Sequence, residues 1–152
     1  MAEWLISKFV DPYTSEWYML IRVLGITNIV LVLLALSLFI LRRINKHVFS
    51  NKNATIKKIV KPLSKIHPII GILLLISAYT HGDVAFDGDW LLGSIFRVHT
   101  GPLAWWIVLV MLLVATIGKK FKVKNWLKVH RTLAVVMIVS VVLHLYVRNL
   151  FG

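Results

Sequence analysis

The stretch HPIIGILLLISAYTH, from His67 to His81, is an apolar run with a histidine at each end. A second stretch, HRTLAVVMIVSVVLH from His130 to His144, has the same 14-residue spacing. At about 100° per residue, 14 steps complete almost four turns of a helix, so both histidines of a stretch lie near one face. The rise over 14 residues is roughly 21 Å, which places one histidine of each stretch near each surface of a bilayer.

The composition around these stretches is that of a membrane protein. Of the 152 residues, 59% are hydrophobic, and the mean hydropathy is +0.81, whereas a soluble domain is about 45–50% apolar. The apolar residues form four runs, which predict membrane spans at about 17–41, 62–81, 98–118 and 126–150. We therefore expect an all-α fold, an integral membrane four-helix bundle in which residues 1–152 form a single domain.

The charges predict how the bundle lies in the membrane. Residues 42–65 and 119–131 together hold 14 of the 18 basic residues, and all six acidic residues lie outside these two ranges. The positive-inside rule then places both basic connections in the cytoplasm and both chain termini on the outer side of the cytoplasmic membrane. Contact with anionic membrane lipid explains the basic loops, as does docking of a cytosolic partner. Nucleic acid is not expected, since no stacking aromatics are interleaved with the charges.

The histidines are expected to pair across the bundle. Spans two and four are separated by one span and so run parallel, which aligns His67 with His130 near the cytoplasm and His81 with His144 near the outer side. Two facing imidazoles are axial ligands for one haem iron. The pattern therefore predicts two b haems, with their irons roughly 20 Å apart, as a path for electrons across the membrane.

Other chemistries fit the histidines less well. The chain has no cysteine, which excludes disulfides, iron–sulfur clusters and covalently attached c-type haem. Zinc binding and proton transport are the main competing interpretations. A zinc site would need ligands within one coordination sphere, often with carboxylates, and no acidic residue lies inside a predicted span. Ordinary polar residues in a bundle are the remaining alternative, but ionisable residues in spans are costly and usually functional.

Five further residues are candidates for cofactor binding, each with a structural alternative. Gly25 and Gly71 would let a flat macrocycle approach the backbone, or would serve helix packing. Arg22 would pair with a propionate of the outer haem, or its side chain would extend to the membrane interface. Arg131 would pair with a propionate of the inner haem, or it would be solvated. His99 would bond a propionate, relay a proton or help receive an electron acceptor, or would be an interfacial histidine at a helix start.

These motifs resemble the ferric reductase-like transmembrane domain family. The second span is similar in its His67-Pro-Ile-Ile-Gly71 and His81-Gly82, and the fourth in its Trp126-Leu-Lys-Val-His130-Arg131 and His144. Ala115-Thr-Ile-Gly-Lys-Lys120 and Arg22-Val-Leu-Gly25 also resemble family segments. The likeness covers roughly residues 17–150, and only the paired histidine spacing in it is specific.

The family includes NADPH oxidases, ferric reductases and the haem subunit of a periplasmic methionine sulfoxide reductase. The resemblance implies electron flow from the cytoplasm outward, with the inner haem on His67 and His130 and the outer haem on His81 and His144. Typical members have about six spans, so this chain would be a minimal four-helix form. Residues 1–152 contain no FAD or nicotinamide domain, so the expected electron donor is a cytosolic flavoprotein or membrane quinol.

The sequence leaves several functions open. Cytochrome b of the quinol–cytochrome c oxidoreductases has a similar histidine spacing, although its first helix starts on the opposite side of the membrane. A self-sufficient quinol-dependent reductase or oxidase would use polar groups near a haem edge, for which Thr27, Asn28 and His99 are candidates. A non-redox membrane anchor or transporter is the third alternative. Whether the chain is itself an enzyme, its outer-side redox acceptor and its oligomeric state do not follow from the sequence.

Overall fold

The computed structural model describes residues 15–89 and 95–151, and within them the chain forms four α-helices. These are α1 (Ser15–His47), α2 (Ala54–Asp89), α3 (Ile95–Lys120) and α4 (Trp126–Phe151). Each contains a segment that is long and apolar enough to cross a membrane. The expected all-α fold is thereby confirmed for the described residues, and four helices of this length and hydropathy indicate a multi-pass membrane protein. The side of the membrane on which the termini lie stays a prediction.

Consecutive helices pack antiparallel. Helix α1 packs on α2, α2 on α3, and α3 on α4. Near the end of α1, Arg42 contacts Ser64 of α2, while near its start Gly25 lies against His81. On the other side of α2, Gly71 lies against Leu112 of α3. Since every step along the chain reverses direction, α2 and α4 run parallel, as the pairing of the histidines requires.

The connections that join α1 to α2 and α3 to α4 are short, and they lie at the same end of the bundle. They span residues 48–53 and 121–125, and we call this the basic end because of the lysines and arginines around them. Asn51 (φ 63°), after α1, and Lys122 (φ 51°), after α3, take the left-handed conformation that follows the end of many helices. The other end of the bundle is called the opposite end below.

Helix α2 begins before the span predicted from hydropathy. It starts at Ala54, eight residues before Pro62, so Pro62 lies inside the helix and not at its first turn. Asn53 caps the helix: its Oδ1 accepts a hydrogen bond of 3.0 Å from the Ile56 amide. Hydropathy reports where lipid contact ends, but a capped helix continues into water because its backbone hydrogen bonds do not depend on lipid.

The core of the bundle is a small apolar cluster. Leu74, Ile107, Val108 and Met137 are buried together, and Leu74 and Met137 each lie halfway between the two histidines of their helix. Most other apolar side chains face outward, as expected for helices surrounded by lipid. The apolar cluster therefore separates the histidines at the basic end from those at the opposite end.

Candidate functional site

Two histidines from different helices meet at the basic end. The ring centroids of His67 on α2 and His130 on α4 are 6.3 Å apart, and the ring planes are at 76° to each other. Imidazole nitrogens bind transition metals at about 2.0–2.1 Å, so two rings on opposite sides of one metal ion have centroids about 6 to 6.5 Å apart. The two rings make an edge-to-face contact, and their separation is also one at which both imidazoles would bind one metal ion.

The orientation of the His130 ring is determined by the backbone of α3. Its Nδ1 lies 3.2 Å from the carbonyl oxygen of Met111. A carbonyl only accepts hydrogen bonds, so Nδ1 carries the proton and donates it, which leaves Nε2 with a free lone pair. The tautomer with its proton on Nδ1 is the one that a metal ligand bound through Nε2 needs. The centroid of the Trp126 ring, one turn earlier on α4, lies 6.4 Å from that of His130.

His67 has a different environment. Its Nδ1 is buried and has no hydrogen-bond partner among the described residues. A cation is held one turn away, since the Arg42 guanidinium donates a 2.8 Å hydrogen bond to Ser64 Oγ, and that hydroxyl donates in turn to the Val60 carbonyl. A buried polar nitrogen without a partner is unfavourable, and it is the kind of atom that a bound group would satisfy.

At the opposite end, glycines lie against the histidines. A Cβ atom added at Gly25 of α1 would lie 3.3 Å from Cε1 of His81, and one added at Gly101 of α3 would lie 3.6 Å from Cε1 of His144. His144 Nδ1 is also 3.0 Å from the Thr100 hydroxyl. The α1–α2 and α3–α4 hairpins thus repeat one arrangement, in which a glycine on the first helix gives room to an imidazole on the second.

The other predicted site residues are scattered. Gly71 lies against Leu112, so it serves close packing of α2 on α3. Arg22 is exposed on α1, one turn before Gly25. Arg131 lines a cleft between α1 and α4 at the basic end. The side chain of His99 lies outside the described residues.

Four features of the site were not predicted from the sequence. They are the Met111 carbonyl beside His130, the Thr100 hydroxyl beside His144, Gly101, and the contact of Arg42 with Ser64 next to His67. The contact of Arg42 was within reach, because a six-residue connection between antiparallel helices brings the end of α1 beside the start of α2. A backbone carbonyl, in contrast, leaves no trace in the sequence.

The described histidines are not part of a larger metal cluster. Among residues whose positions are described, no three side chains of histidine, cysteine, aspartate or glutamate lie close enough to hold one metal ion. A structural zinc site takes four such ligands, whereas the porphyrin of a haem supplies four nitrogens and leaves two axial positions for the protein. Two histidines would complete the coordination of a haem iron, whereas two histidines alone would not make a structural zinc site.

No protein-family model matches the chain, and neither a curated protein nor a solved structure matches it.

Proposed function

We propose that this chain carries electrons across a membrane through two bis-histidine b haems. The observation that supports the proposal most directly is the facing pair His67 and His130, at 6.3 Å and 76°. His81 and His144 would hold the second haem, each 14 residues further along a parallel helix. Bound haem iron supplies reversible one-electron transfer, which no side chain of this sequence provides by itself.

The protein's own residues would position the ligands and control their surroundings. The Met111 carbonyl holds the proton on Nδ1 of His130 and so leaves the Nε2 lone pair free, through which His130 would bind the haem iron. The Thr100 hydroxyl lies 3.0 Å from Nδ1 of His144 and would hold that ring in place, whichever of the two groups donates the hydrogen bond. Leu74, Ile107, Val108 and Met137 exclude water from the space between the two histidine pairs. Arg42, which donates a hydrogen bond to Ser64, supplies positive charge at the basic end that would stabilise a propionate.

The direction of electron flow is part of the same proposal. The positive-inside rule makes the basic end cytoplasmic, so His67 and His130 would hold the haem on the entry side. The donor would be a cytosolic flavoprotein or membrane quinol, and the acceptor would lie on the outer side. The resemblance to the ferric reductase-like family supports this direction, with the chain as a minimal four-helix form in a cytoplasmic membrane.

A visible spectrum of the purified protein, before and after dithionite, tests the proposal. We expect sharp low-spin b-type bands and about two haems per chain by pyridine haemochrome assay. A colourless preparation, grown with haem precursor and loaded with haemin, would contradict it. The matched control is His47→Ala, since His47 is exposed at the end of α1, away from both pairs, and this variant should keep both haems.

A quinol-dependent reductase is the second candidate, and buried polar atoms favour it. Asn28 Oδ1 and Ser77 Oγ are buried without a hydrogen-bond partner among the described residues, one turn from Gly25 and His81 respectively. A quinol headgroup would satisfy them. Adding a short-chain quinol to oxidised protein distinguishes the candidates: rapid haem reduction that Asn28→Leu slows at least tenfold supports a quinol site, and no reduction supports a protein donor.

A further inference from the structure

A cleft of about 440 Å³ opens between α1 and α4 at the basic end. In the described residues no Cα atom of α1 comes within 8 Å of a Cα atom of α4. A gap therefore separates these two helices, whereas consecutive helices of the bundle pack closely. Three cations line the gap: Arg43 from α1, and Lys128 and Arg131 from α4. No acidic residue is among the described residues that line it.

The cleft changes from charged to apolar with depth. On α1, Phe39 lies one turn, about 6 Å, further into the membrane than Arg43. On α4, Val135 lies one turn further in than Arg131. Leu127 adds apolar surface near the mouth. Both walls thus present cations near the water and apolar side chains near the bilayer interior, which is the polarity of a phospholipid in the same leaflet.

The cleft is distinct from the histidine site. At about 100° per residue, the residues of α4 that line the cleft centre on a direction roughly 130° around the helix from His130. The His130 ring is directed at α3 and His67. The cleft cations therefore lie on a different face of α4 from the metal-ligand candidates. A quinol is also a poor occupant, because its headgroup is neutral and its oxidation releases protons, for which the described lining residues include no carboxylate or histidine acceptor.

We propose that this cleft binds one anionic phospholipid. Its phosphate lies between Arg43, Lys128 and Arg131, and an acyl chain runs along Phe39 and Val135. The lipid fills the gap between α1 and α4 and joins the two hairpins at the basic end. The proposal does not depend on haem binding.

Native mass spectrometry of the full chain, released from detergent with added lipid, tests this. Dioleoyl phosphatidylglycerol should bind as one retained molecule, and dioleoyl phosphatidylcholine should not. The triple variant Arg43→Gln, Lys128→Gln, Arg131→Gln should weaken phosphatidylglycerol binding on the order of 100-fold, because each cation near an anionic headgroup contributes about fivefold. The matched control removes the same charge from exposed lysines at the start of α2: Lys57→Gln, Lys58→Gln, Lys61→Gln.

Equal weakening in both triple variants would overturn the proposal, because it would show attraction to net charge alone. Loss of a haem from the cleft variant and not from the control would also overturn it, since the cations would then serve propionates. Equal binding of the two lipids by the unaltered chain would do the same.

A second measurement avoids the charge changes. In Phe39→Trp, phosphatidylglycerol with brominated acyl chains should quench the new fluorescence more than brominated phosphatidylcholine does, relative to the unbrominated lipids. In Leu33→Trp, an exposed position of α1 that does not line the cleft, the two brominated lipids should quench equally. Equal quenching by both lipids at position 39 would contradict the proposal.

Discussion

The two histidine pairs differ in the group that contacts Nδ1 of the histidine on α4. At the basic end, a main-chain carbonyl holds Nδ1 of His130, and at the opposite end a threonine side chain holds Nδ1 of His144. A main-chain carbonyl cannot be removed by substituting its residue, and it only accepts hydrogen bonds. A hydroxyl belongs to one side chain and both donates and accepts hydrogen bonds. Helix packing thus determines the orientation of the His130 ring at the basic end, and individual side chains, together with two glycines, surround the histidines at the opposite end.

The largest expected effect comes from removing one ligand at either end. His130→Ala should lower the haem content from about two to about one per chain and keep the haem at the opposite end, and His144→Ala should do the reverse. The two ends are independent because the apolar cluster around Leu74 and Met137 separates them. Pyridine haemochrome assay and redox-resolved spectra measure this. If either single variant lost both haems, the comparison of two separate ends would be wrong.

The basic end should be sensitive to helix packing. A Cβ atom at Gly118 would overlap the side chain of Trp126, where α3 turns into α4. Overpacking of this kind costs about 1–3 kcal/mol, so Gly118→Ala should lower the thermal midpoint in detergent. Because Trp126 neighbours His130, the same change should disturb the basic-end haem. Gly82→Ala is the control, since a Cβ at Gly82 would meet nothing within 4 Å; an equal loss there would refute the packing explanation.

The opposite end should respond unequally to its two glycines. At Gly25 an added Cβ would be 3.3 Å from the His81 ring, tighter than ordinary contact, whereas at Gly101 the corresponding distance to His144 is 3.6 Å. Gly25→Ala should therefore rotate the His81 ring away from its preferred rotamer, at a cost of about 0.5–1.5 kcal/mol. The rotation should shift the low-spin electron paramagnetic resonance signal of the haem proposed at the opposite end. Gly101→Ala should leave the signal unchanged. Equal shifts in the two variants would count against the assigned contacts.

The smallest expected effect is on redox potential. If Nε2 of His144 binds iron, its Nδ1–H donates to Thr100, which makes the ring a stronger donor to the oxidised metal. Thr100→Val removes this hydrogen bond. If the hydrogen bond stabilises the oxidised haem by about 0.5–1.5 kcal/mol, its loss should raise the reduction potential of the opposite-end haem by roughly 20–65 mV. Thr100→Ser should restore it. A potentiometric titration in which both haems moved together would show a general change in packing.

The sequence predicted the features that depend on periodicity. Fourteen-residue spacing in two spans placed His67 and His130 on faces that meet, and counting spans made α2 and α4 parallel. It did not distinguish Gly25, which lies against a histidine, from Gly71, which lies against Leu112. Both are glycines inside apolar runs, and only the relative rotation of two helices decides which of them faces a ring.

The other features that the sequence did not predict have a common physical origin. The Met111 carbonyl is a backbone group, so any residue type at that position would provide the same acceptor. The early start of α2 depends on the Asn53 cap, which hydropathy does not measure. The cleft between α1 and α4 depends on how far apart two helices lie that are distant in sequence. Each depends on tertiary geometry, which composition and spacing do not encode.

The short connections at the basic end have a consequence for biosynthesis. The α1–α2 and α3–α4 hairpins are each closed by a turn of five or six residues, and the α2–α3 interface between them is smaller than the interface within either hairpin. During translation the first hairpin can enter the bilayer as a finished unit before the second is made. His67 belongs to the first hairpin and His130 to the second, so the proposed haem iron would gain both of these ligands only after the second hairpin has inserted. Binding of that cofactor would then follow the insertion of both hairpins and would join them.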